Sequence, residues 1–236
     1  GLTEAEATGA LLCLDVTEAV LDEAIALGHN LVISHHPLIF KGYKSITGKD
    51  YVERCILKAI KNDIVIYSAH TNLDNAYGGV NYKIAEKIGL KNLQVLEPKE
   101  NSLQDDLMQA GAGIVGELDE PETELEFLKR IKKTFEVGCV RHNRLTGREI
   151  QKVALCGGAG AFLLPQAIRA GADVFITGEI KYHDYFGHEG DILMAEIGHY
   201  ESEQYTKEIF YSIIRDLFPN FALQLSKINT NPIKYL

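Results

Sequence analysis

The fold is decided by residues 10–34, which read ALLCLDVTEAVLDEAIALGHNLVIS. Ala10–Asp15 is a short apolar run typical of a buried strand, and the apolar residues after Thr17 recur at helical spacing until Gly28 closes the pattern. Leu31–Ser34 is a second apolar run, which ends at a pair of histidines. Because strands joined through a helix usually run parallel, we predict an α/β fold with a parallel or mixed sheet flanked by helices.

The rest of the chain continues this alternation. Asp50–Asn62 predicts a second amphipathic helix, and Asp63–Tyr67 predicts a third buried strand. Val80–Ile88 predicts a helix that the following glycine stops. Val115–Glu117 is typical of a strand end or an edge strand, and Thr123–Thr134 of another amphipathic helix.

An internal repeat relates two parts of the chain. Residues 24–34 and 167–177 share the pattern Ala-Ile-x-x-Gly-x-x, followed by three apolar residues and a hydroxyl residue. The same offset places Leu12-Cys13 over Leu155-Cys156, so a strand, a helix and a strand recur in register. We therefore predict two similar α/β domains that arose by internal duplication.

The predicted domain boundaries follow from this repeat and from composition. Leu96–Asn101 and Leu118–Thr123 are polar and contain proline, which favours turns or linkers. We predict a first domain of residues 1–100 and 191–236, which carries most of the candidate ligands, and a second domain of residues 101–190.

Composition excludes several functions. The formal charge of −9, without a run of basic residues, argues against nucleic acid and anionic membrane surfaces as partners. The apolar runs are far shorter than the ~20 residues that cross a bilayer, and no leader opens the chain, so we expect a cytoplasmic protein. The widely spaced cysteines predict reduced, mostly buried thiols: Cys13, Cys55, Cys139 and Cys156.

A first group of candidate ligands is His35 and His36, at the end of a strand where α/β sheets bind ligands. Adjacent side chains of an extended chain point to opposite sides. One ion could take both imidazoles only if the backbone turned sharply, whereas two neighbouring ions could take one each. The structural alternative is that one histidine caps a turn and the other packs.

Two further groups place a carboxylate four residues after a histidine, behind a predicted buried strand: His70 with Asp74, and His199 with Glu203. This spacing brings both side chains to one face of a helix or turn. The alternatives are that Asn72 or Asp74 caps the next helix, and that the acidic residues at His199 form a solvated helix start.

The coincidence of these groups predicts a metal site with the ligands His35, His36, Asp74, His199 and Glu203. Imidazole nitrogens and carboxylate oxygens without thiolates suit zinc, iron or manganese. Five ligands spread over two divalent ions leave positions open for water, which is the pattern of catalytic sites.

Other groups carry weaker signals. In Thr177–Asp184, Glu179 aligns with His36, and Glu179 or His183 could support a ligand or carry a proton; a structural ion pair or a surface imidazole is the alternative. Gly157–Gly160 resembles a phosphate-binding loop but lacks its lysine, so close packing of the turn is favoured. The Lys41–Ser45 loop could supply positive charge to an anionic substrate.

The chain resembles the GTP cyclohydrolase 1 type 2 family, also called the Nif-three-like family, over nearly its whole length. The motifs that carry the resemblance are LDVTEAV (Leu14–Val20), SHHPLIFKG (Ser34–Gly42), SAHTNLDNAYGGVN (Ser68–Asn81), CGGAG (Cys156–Gly160), TGEIKYHD (Thr177–Asp184), GHYESE (Gly198–Glu203) and NTNP (Asn229–Pro232). The family's metal ligands map onto the same five residues, and His70 becomes a neighbour of the site. The resemblance also implies a metal cleft between two domains, a ring-shaped homohexamer, and a small-molecule substrate that could be a nucleotide. An extra domain found in some members is not expected between Leu96 and Gln151.

The resulting hypothesis is a dinuclear metal-dependent hydrolase that opens the imidazole ring of GTP and releases formate, with His70 or Glu179 moving the proton. A metal-dependent phosphoesterase is an alternative enzyme. A non-catalytic metal-binding, metal-handling or partner-binding protein is an alternative of another class.

Overall fold

The computed structural model describes residues 1–2, 4–99, 110–188 and 190–236. The chain forms two compact units, the first made of Gly1–Leu73 with Thr206–Ile233 and the second of Asp74–Tyr205 with Lys234–Leu236. Each unit holds one sheet with flanking helices, which confirms the predicted α/β fold. Within the described ranges, no helix is both long and apolar enough to cross a bilayer.

In chain order the described strands and α-helices are β1 (Ala10–Cys13), α1 (Glu18–Leu27), β2 (Leu31–Ser34), α2 (Tyr51–Lys61), β3 (Val65–Ser68), α3 (Thr71–Asp74), α4 (Val80–Ile88), β4 (Lys91–Pro98), β5 (Gly111–Thr123), α5 (Glu124–Thr134), β6 (Arg141–His142), β7 (Glu149–Cys156), α6 (Leu164–Arg169), β8 (Val174–Thr177), β9 (Leu193–Glu196), α7 (His199–Glu203), α8 (Thr206–Leu217) and β10 (Leu223–Leu225). Short 3-10 helices cover Ala161–Leu163 and Tyr182–Tyr185.

The sheet of the first unit has the strand order β10-β1-β2-β3, and all its strands are parallel. The Thr17 hydroxyl accepts the Val20 N–H at the start of α1, and Gly28 ends that helix in the left-handed conformation, with φ 69°. Alternate strand residues serve two cores: Leu11 packs with α1 and α2, and Leu12 packs with α8. The sheet is therefore covered on both faces, as parallel sheets usually are.

The sheet of the second unit has the order β4-β5-β7-β8-β9-β6. Strands β7, β8 and β9 are parallel, whereas β4, β5 and β6 pair antiparallel to their neighbours. Phe175 of β8 and Met194 of β9 are fully buried in a core that includes Leu163 and Ala167 of the α6 region. Helices α4 and α5 pack against β5 and β7.

The strand pairing supports the predicted internal repeat. In the first unit Leu12 of β1 lies opposite Ile33 of β2. In the second unit Leu155 of β7 lies opposite Ile176 of β8, and these are the residues that the sequence repeat aligns with the first pair. The strand-helix-strand motif thus recurs with the same register in both sheets.

The observed division of the chain differs from the expected one. Residues 1–100 and 191–236 were expected to form one domain, but β4 pairs with β5 and β9 pairs with β8, so both strands belong to the second sheet. The helix that follows β9, α7, also belongs to the second unit.

The linker predictions were wrong for the described residues. Leu118–Thr123 forms the end of β5, and Leu96–Pro98 the end of β4. Strand β5 lies between β4 and β7, so Val115–Glu117 is inside the sheet and not at its edge. The pairing of β5 with β7 is irregular between Glu117 and Glu122, and Pro121 falls in this irregularity, where its missing N–H costs no regular ladder bond. Glu100 and Asn101 lie outside the described residues.

The cysteines are free thiols, of which Cys13, Cys55 and Cys156 are buried and Cys139 is exposed. Burial raises the pKa of Cys156 to about 12, and the charges of Asp74 and Glu203 act in the same direction. This thiol is therefore protonated at neutral pH.

Candidate metal centre

In the first unit, three imidazoles gather at the carboxyl ends of β2 and β3. His35 and His36 follow β2, and His70 follows β3. Their ring centroids are 4.9 Å apart for His35 and His36, 5.3 Å for His35 and His70, and 5.5 Å for His36 and His70. One ring nitrogen of each lies within 4.8 Å of the others, a separation at which three nitrogens could hold a metal ion. The structure thus brings together three histidines that the sequence placed in two groups.

The backbone bends directly after β2, which brings the two adjacent imidazoles together. The N–H groups of His35 and His36 both donate to the Leu14 carbonyl, and the Ser34 hydroxyl donates to the His36 carbonyl. The extended geometry that would send the two rings to opposite sides therefore ends at Ser34.

The Nδ1 atoms of His35 and His36 are held by acceptors. His35 Nδ1 lies 2.9 Å from the Ala69 carbonyl, and His36 Nδ1 lies 2.7 Å from Asp15 Oδ1. A carbonyl oxygen can only accept, so Nδ1 of His35 carries a proton, and in the neutral form of this ring the lone pair is on Nε2. Metal-binding histidines are commonly oriented through such contacts of the second ring nitrogen.

Asp15 is a residue that the sequence analysis did not select for the site. It follows β1 at the same end of the sheet as His35 and His36, and its second oxygen accepts the Thr230 hydroxyl. Its position after a buried strand was the available signal, because His35, His36 and His70 were found by the same rule.

In the second unit, His199 lies between two carboxylates. Nδ1 of His199 is 2.7 Å from Glu179 Oε1, and Nε2 is 3.1 Å from Glu203 Oε2. Glu203 stands one turn after His199 on α7, as the spacing of four predicts. The nearby carboxylates raise the pKa of His199 to about 9: Glu203 has the larger effect and Glu179 the smaller, and burial acts in the opposite direction. The surroundings of this imidazole therefore favour positive charge.

The glycine turn after β7 packs against this carboxylate. Gly158 has φ 60°, and a Cβ atom there would collide with Glu203 Oε1. The Gly158 N–H donates to the Ser202 hydroxyl at 3.0 Å, and the Glu203 side chain is only 4% exposed. The predicted close packing of Gly157–Gly160 is confirmed, and its effect is to enclose Glu203.

Asp74 is the first residue of the second unit and ends the short helix α3, which follows His70. Its carbonyl accepts the Asn81 side-chain N–H, and the other end of that amide accepts the Gly157 N–H. Helix α4 has Gly79 at its N-cap and no side-chain cap. The alternative in which Asp74 caps the following helix is therefore not observed.

Two weaker candidates from the sequence, His183 and the loop of residues 41–45, are exposed to solvent. His183 is exposed in a 3-10 helix and contacts the Tyr182 ring, with centroids 5.2 Å apart. Residues 41–45 are exposed after the histidine pair, next to Phe40, whose ring lies edge-on to His70 at 5.8 Å. That the Lys41–Ser45 loop supplies positive charge to an anionic substrate stays a prediction.

Comparison with known proteins shows to which family the chain belongs. The sequence profile of the Duf34/NIF3 (NGG1p interacting factor 3) family matches residues 1–232. The chain belongs to this family. It is similar to a Lactococcus lactis protein named GTP cyclohydrolase 1 type 2 homolog, with 34% identity over 96% of this chain and 85% of the relative. A Clostridium perfringens protein of the same name is 37% identical over 86% of this chain and 76% of the relative.

Solved structures support the same assignment. A crystal structure of the Staphylococcus aureus hypothetical protein SA1388 matches with a TM-score of 0.91 and 32% identity, and covers all of this chain and 90% of the other. A crystal structure of a Bacillus cereus protein related to NIF3 also matches, with a TM-score of 0.88 and 26% identity over all of this chain and 91% of the other. The donor set of this member consists of imidazoles and carboxylates, which fits zinc, iron or manganese.

Proposed function

We propose that this Duf34/NIF3 protein is a hydrolase that uses two divalent metal ions, held by His35, His36, Asp74, His199 and Glu203. The observation that carries the proposal is the way three of these imidazoles are held. Each Nδ1 lies against a carbonyl or carboxylate oxygen, which orients Nε2 as the atom that would bind metal; in His199, Nε2 faces Glu203, another proposed ligand.

The carboxylates complete a hydrolytic donor set. Asp74 and Glu203 would supply negative charge to the metal ions, and the enclosed position of Glu203 holds its oxygens in place. Divalent ions at such sites lower the pKa of water by several units and stabilise developing negative charge. Five protein ligands would leave positions for water and substrate.

His70 is proposed as the general base, the group that accepts a proton from the attacking water. Its imidazole lies beside His35 and His36 but is not one of the proposed ligands. Glu179 holds His199 Nδ1, so its contact favours orientation of that ligand over proton transfer. His70 would therefore accept the proton from the attacking water.

The proposed substrate is GTP, the nucleotide in the names of the Lactococcus and Clostridium relatives. Attack of water on the carbon between the two imidazole nitrogens breaks one C–N bond and opens the ring. Cleavage of the second C–N bond by another water releases formate, so the balanced step consumes two water molecules.

The test is metal content per chain in protein purified without added metal, together with formate release from GTP in Mn²⁺, Fe²⁺ or Zn²⁺. About two ions per chain and metal-dependent formate would support the proposal, and His36→Ala should abolish both. His29→Ala is the matched control, because His29 precedes β2 whereas His36 follows it.

Other outcomes select the alternatives. Release of phosphate without formate would assign the chain to the phosphoesterases, since paired ions also suit displacement at phosphorus. Two ions without either product, which leave readily to weak chelators while the fold persists, would assign it to metal handling.

We also propose the ring-shaped homohexamer that the sequence resemblance implies. Its test is the molecular mass in solution across a range of protein concentrations. A mass of one chain at all concentrations would contradict it.

A further inference from the structure

A concave pocket of about 600 Å³ lies in the second unit, apart from the metal ligands. One wall is formed by residues 140–144, which include the edge strand β6, and the other by Tyr182, Tyr185 and Phe186. Small-molecule sites commonly have volumes of ~300–1,000 Å³. None of the five proposed ligands lines this pocket.

The two walls are fixed to the sheet by side chains. Glu196 of β9 accepts the Arg141 guanidinium at 2.8 Å on one oxygen. Its other oxygen accepts the Ile180 N–H at 3.0 Å and the Tyr185 hydroxyl at 3.3 Å. The Asn143 side-chain N–H donates to the carbonyl of Ile192, which precedes β9, and its Oδ1 accepts the N–H of Met194 in β9. The pocket is therefore preformed.

The lining combines exposed aromatic rings with positive charge. Tyr182 is 68% exposed and Phe186 is 56% exposed, with ring centroids 5.3 Å apart. Arg144 is exposed, and no carboxylate within the described part of the chain pairs with it. Arg141 lies over the Tyr185 ring at 5.7 Å and is half exposed. Exposed rings and an unneutralised guanidinium at one concave site are typical of ligand recognition.

We propose that this pocket binds a planar aromatic compound that carries phosphate, with purine nucleotides as the representative class. The ligand ring stacks on Tyr182 and meets Phe186 edge-on, because the two side-chain rings lie at 68° to each other. The phosphate binds Arg144 together with the remaining N–H groups of Arg141. Binding here requires neither metal nor hydrolysis, so the site stands independently of the proposed reaction.

The shape and charge of the pocket favour a small molecule over a macromolecule. A nucleic acid strand is held by a basic track, whereas this chain carries a formal charge of −9. Protein interfaces are usually larger and flatter, burying ~800 Å² on each partner. The concave volume suits a single nucleotide.

The test is the dissociation constant for GTP and for inorganic triphosphate, measured on the full chain before and after metal removal. Tyr182→Ala and Arg144→Ala are each expected to weaken GTP binding about tenfold, and Tyr182→Ala should leave triphosphate binding unchanged. Phe218→Ala and Arg169→Ala are matched controls, since both side chains are exposed outside the pocket. GTP binding that persists without metal would support a separate site.

Four results would overturn the proposal. GTP affinity could be unchanged in both pocket variants, or GTP could bind no more tightly than triphosphate. A short oligonucleotide could bind more tightly than GTP, which would indicate a nucleic acid site. The pocket variants could change only the molecular mass in solution, which would indicate a contact between copies of the chain. Thermal unfolding of each variant separates these results from misfolding.

Discussion

The two sheets present different chemistry at the ends of equivalent strands. In the first unit, three imidazoles cluster after β2 and β3, and the Asp15 carboxylate contacts Nδ1 of His36. In the second, the single imidazole of His199 is contacted by carboxylates on both ring nitrogens. The strand-helix-strand frame is common to both, and the repeat aligns His36 with Glu179 and His70 with His199. A repeated backbone can therefore place a group of imidazoles in one copy and an imidazole between two carboxylates in the other.

The largest effect should come from removing a buried anionic donor. Glu203→Gln keeps the shape of the side chain but removes its charge, so we expect metal affinity to fall by more than the ~10–100-fold typical of outer contacts. Calorimetric titration with Mn²⁺ or Zn²⁺ measures this loss. Glu149→Gln is the control, because Glu149 is exposed in β7. Equal affinity in the two variants would contradict an anionic ligand role for Glu203.

The contacts behind the imidazoles provide a finer comparison. Asp15→Asn and Glu179→Gln each weaken the hold on one Nδ1 atom, and we expect losses in metal affinity of about 10–100-fold. The Asp15 side chain is 32% exposed and also binds Thr230, whereas Glu179 is 59% exposed, so Asp15→Asn should have the larger effect. Competition with a chromophoric chelator measures both. A larger loss for Glu179→Gln would reverse this order.

A third comparison concerns a glycine that packs against Glu203, Gly158, and a glycine of the first unit that has open space around it, Gly28. Gly158→Ala adds a Cβ atom against Glu203 at a positive φ, and we expect it to lower the free energy of unfolding by about 2 kcal/mol. Gly28 has a similar φ of 69° in the first unit but open space around it, so Gly28→Ala should lower it by only about 1 kcal/mol. Urea unfolding of both variants checks the difference, and equal losses would show that backbone strain alone matters.

The smallest effect concerns a feature that occurs once in each unit, a buried glutamate that accepts hydrogen bonds from a Thr-Gly turn. Glu53 accepts bonds from Thr47 and Lys49, and Glu124 accepts equivalent bonds from the Thr146 turn. Burial acts to raise the pKa of Glu53, but these hydrogen bonds outweigh it and lower the pKa to about 2.

Since the folded pKa lies below the unfolded value of 4.5, this stabilisation is present above that pH and is lost as the pH falls towards 2. Glu53→Gln should therefore lower the unfolding temperature at pH 7 more than at pH 3. A deficit that is the same at both pH values would exclude ionisation as the cause.

Local features of the fold could be predicted because local residues determine them. Helix α2 begins after Asp50, whose carboxylate accepts the Glu53 N–H, and α4 ends at Gly89 with φ 82°. The assignment of β4 and β9 could not be predicted, because it depends on pairing with strands remote in sequence. Strand β5 was missed in part because Pro121 and its acidic neighbours are typical of turns.

The candidate site likewise has residues that could be predicted from local sequence and contacts that could not. His35, His36 and His70 could be selected because each follows a predicted strand. The Asp15 contact with His36 could not, since it depends on side-chain orientation at the ends of two strands. The enclosure of Glu203 by Gly158 likewise depends on the exact path of a turn.

The position of β10 has a consequence for synthesis of the protein. Its residues pair with β1, so the edge of the first sheet stays open until the ribosome has added Leu223–Leu225. The strands of the second sheet are all complete by Glu196. At ~5–20 residues per second, the second sheet can form while the first, begun earlier, still lacks a strand. The sheet whose first strand is made earliest is therefore the sheet whose last strand is made latest.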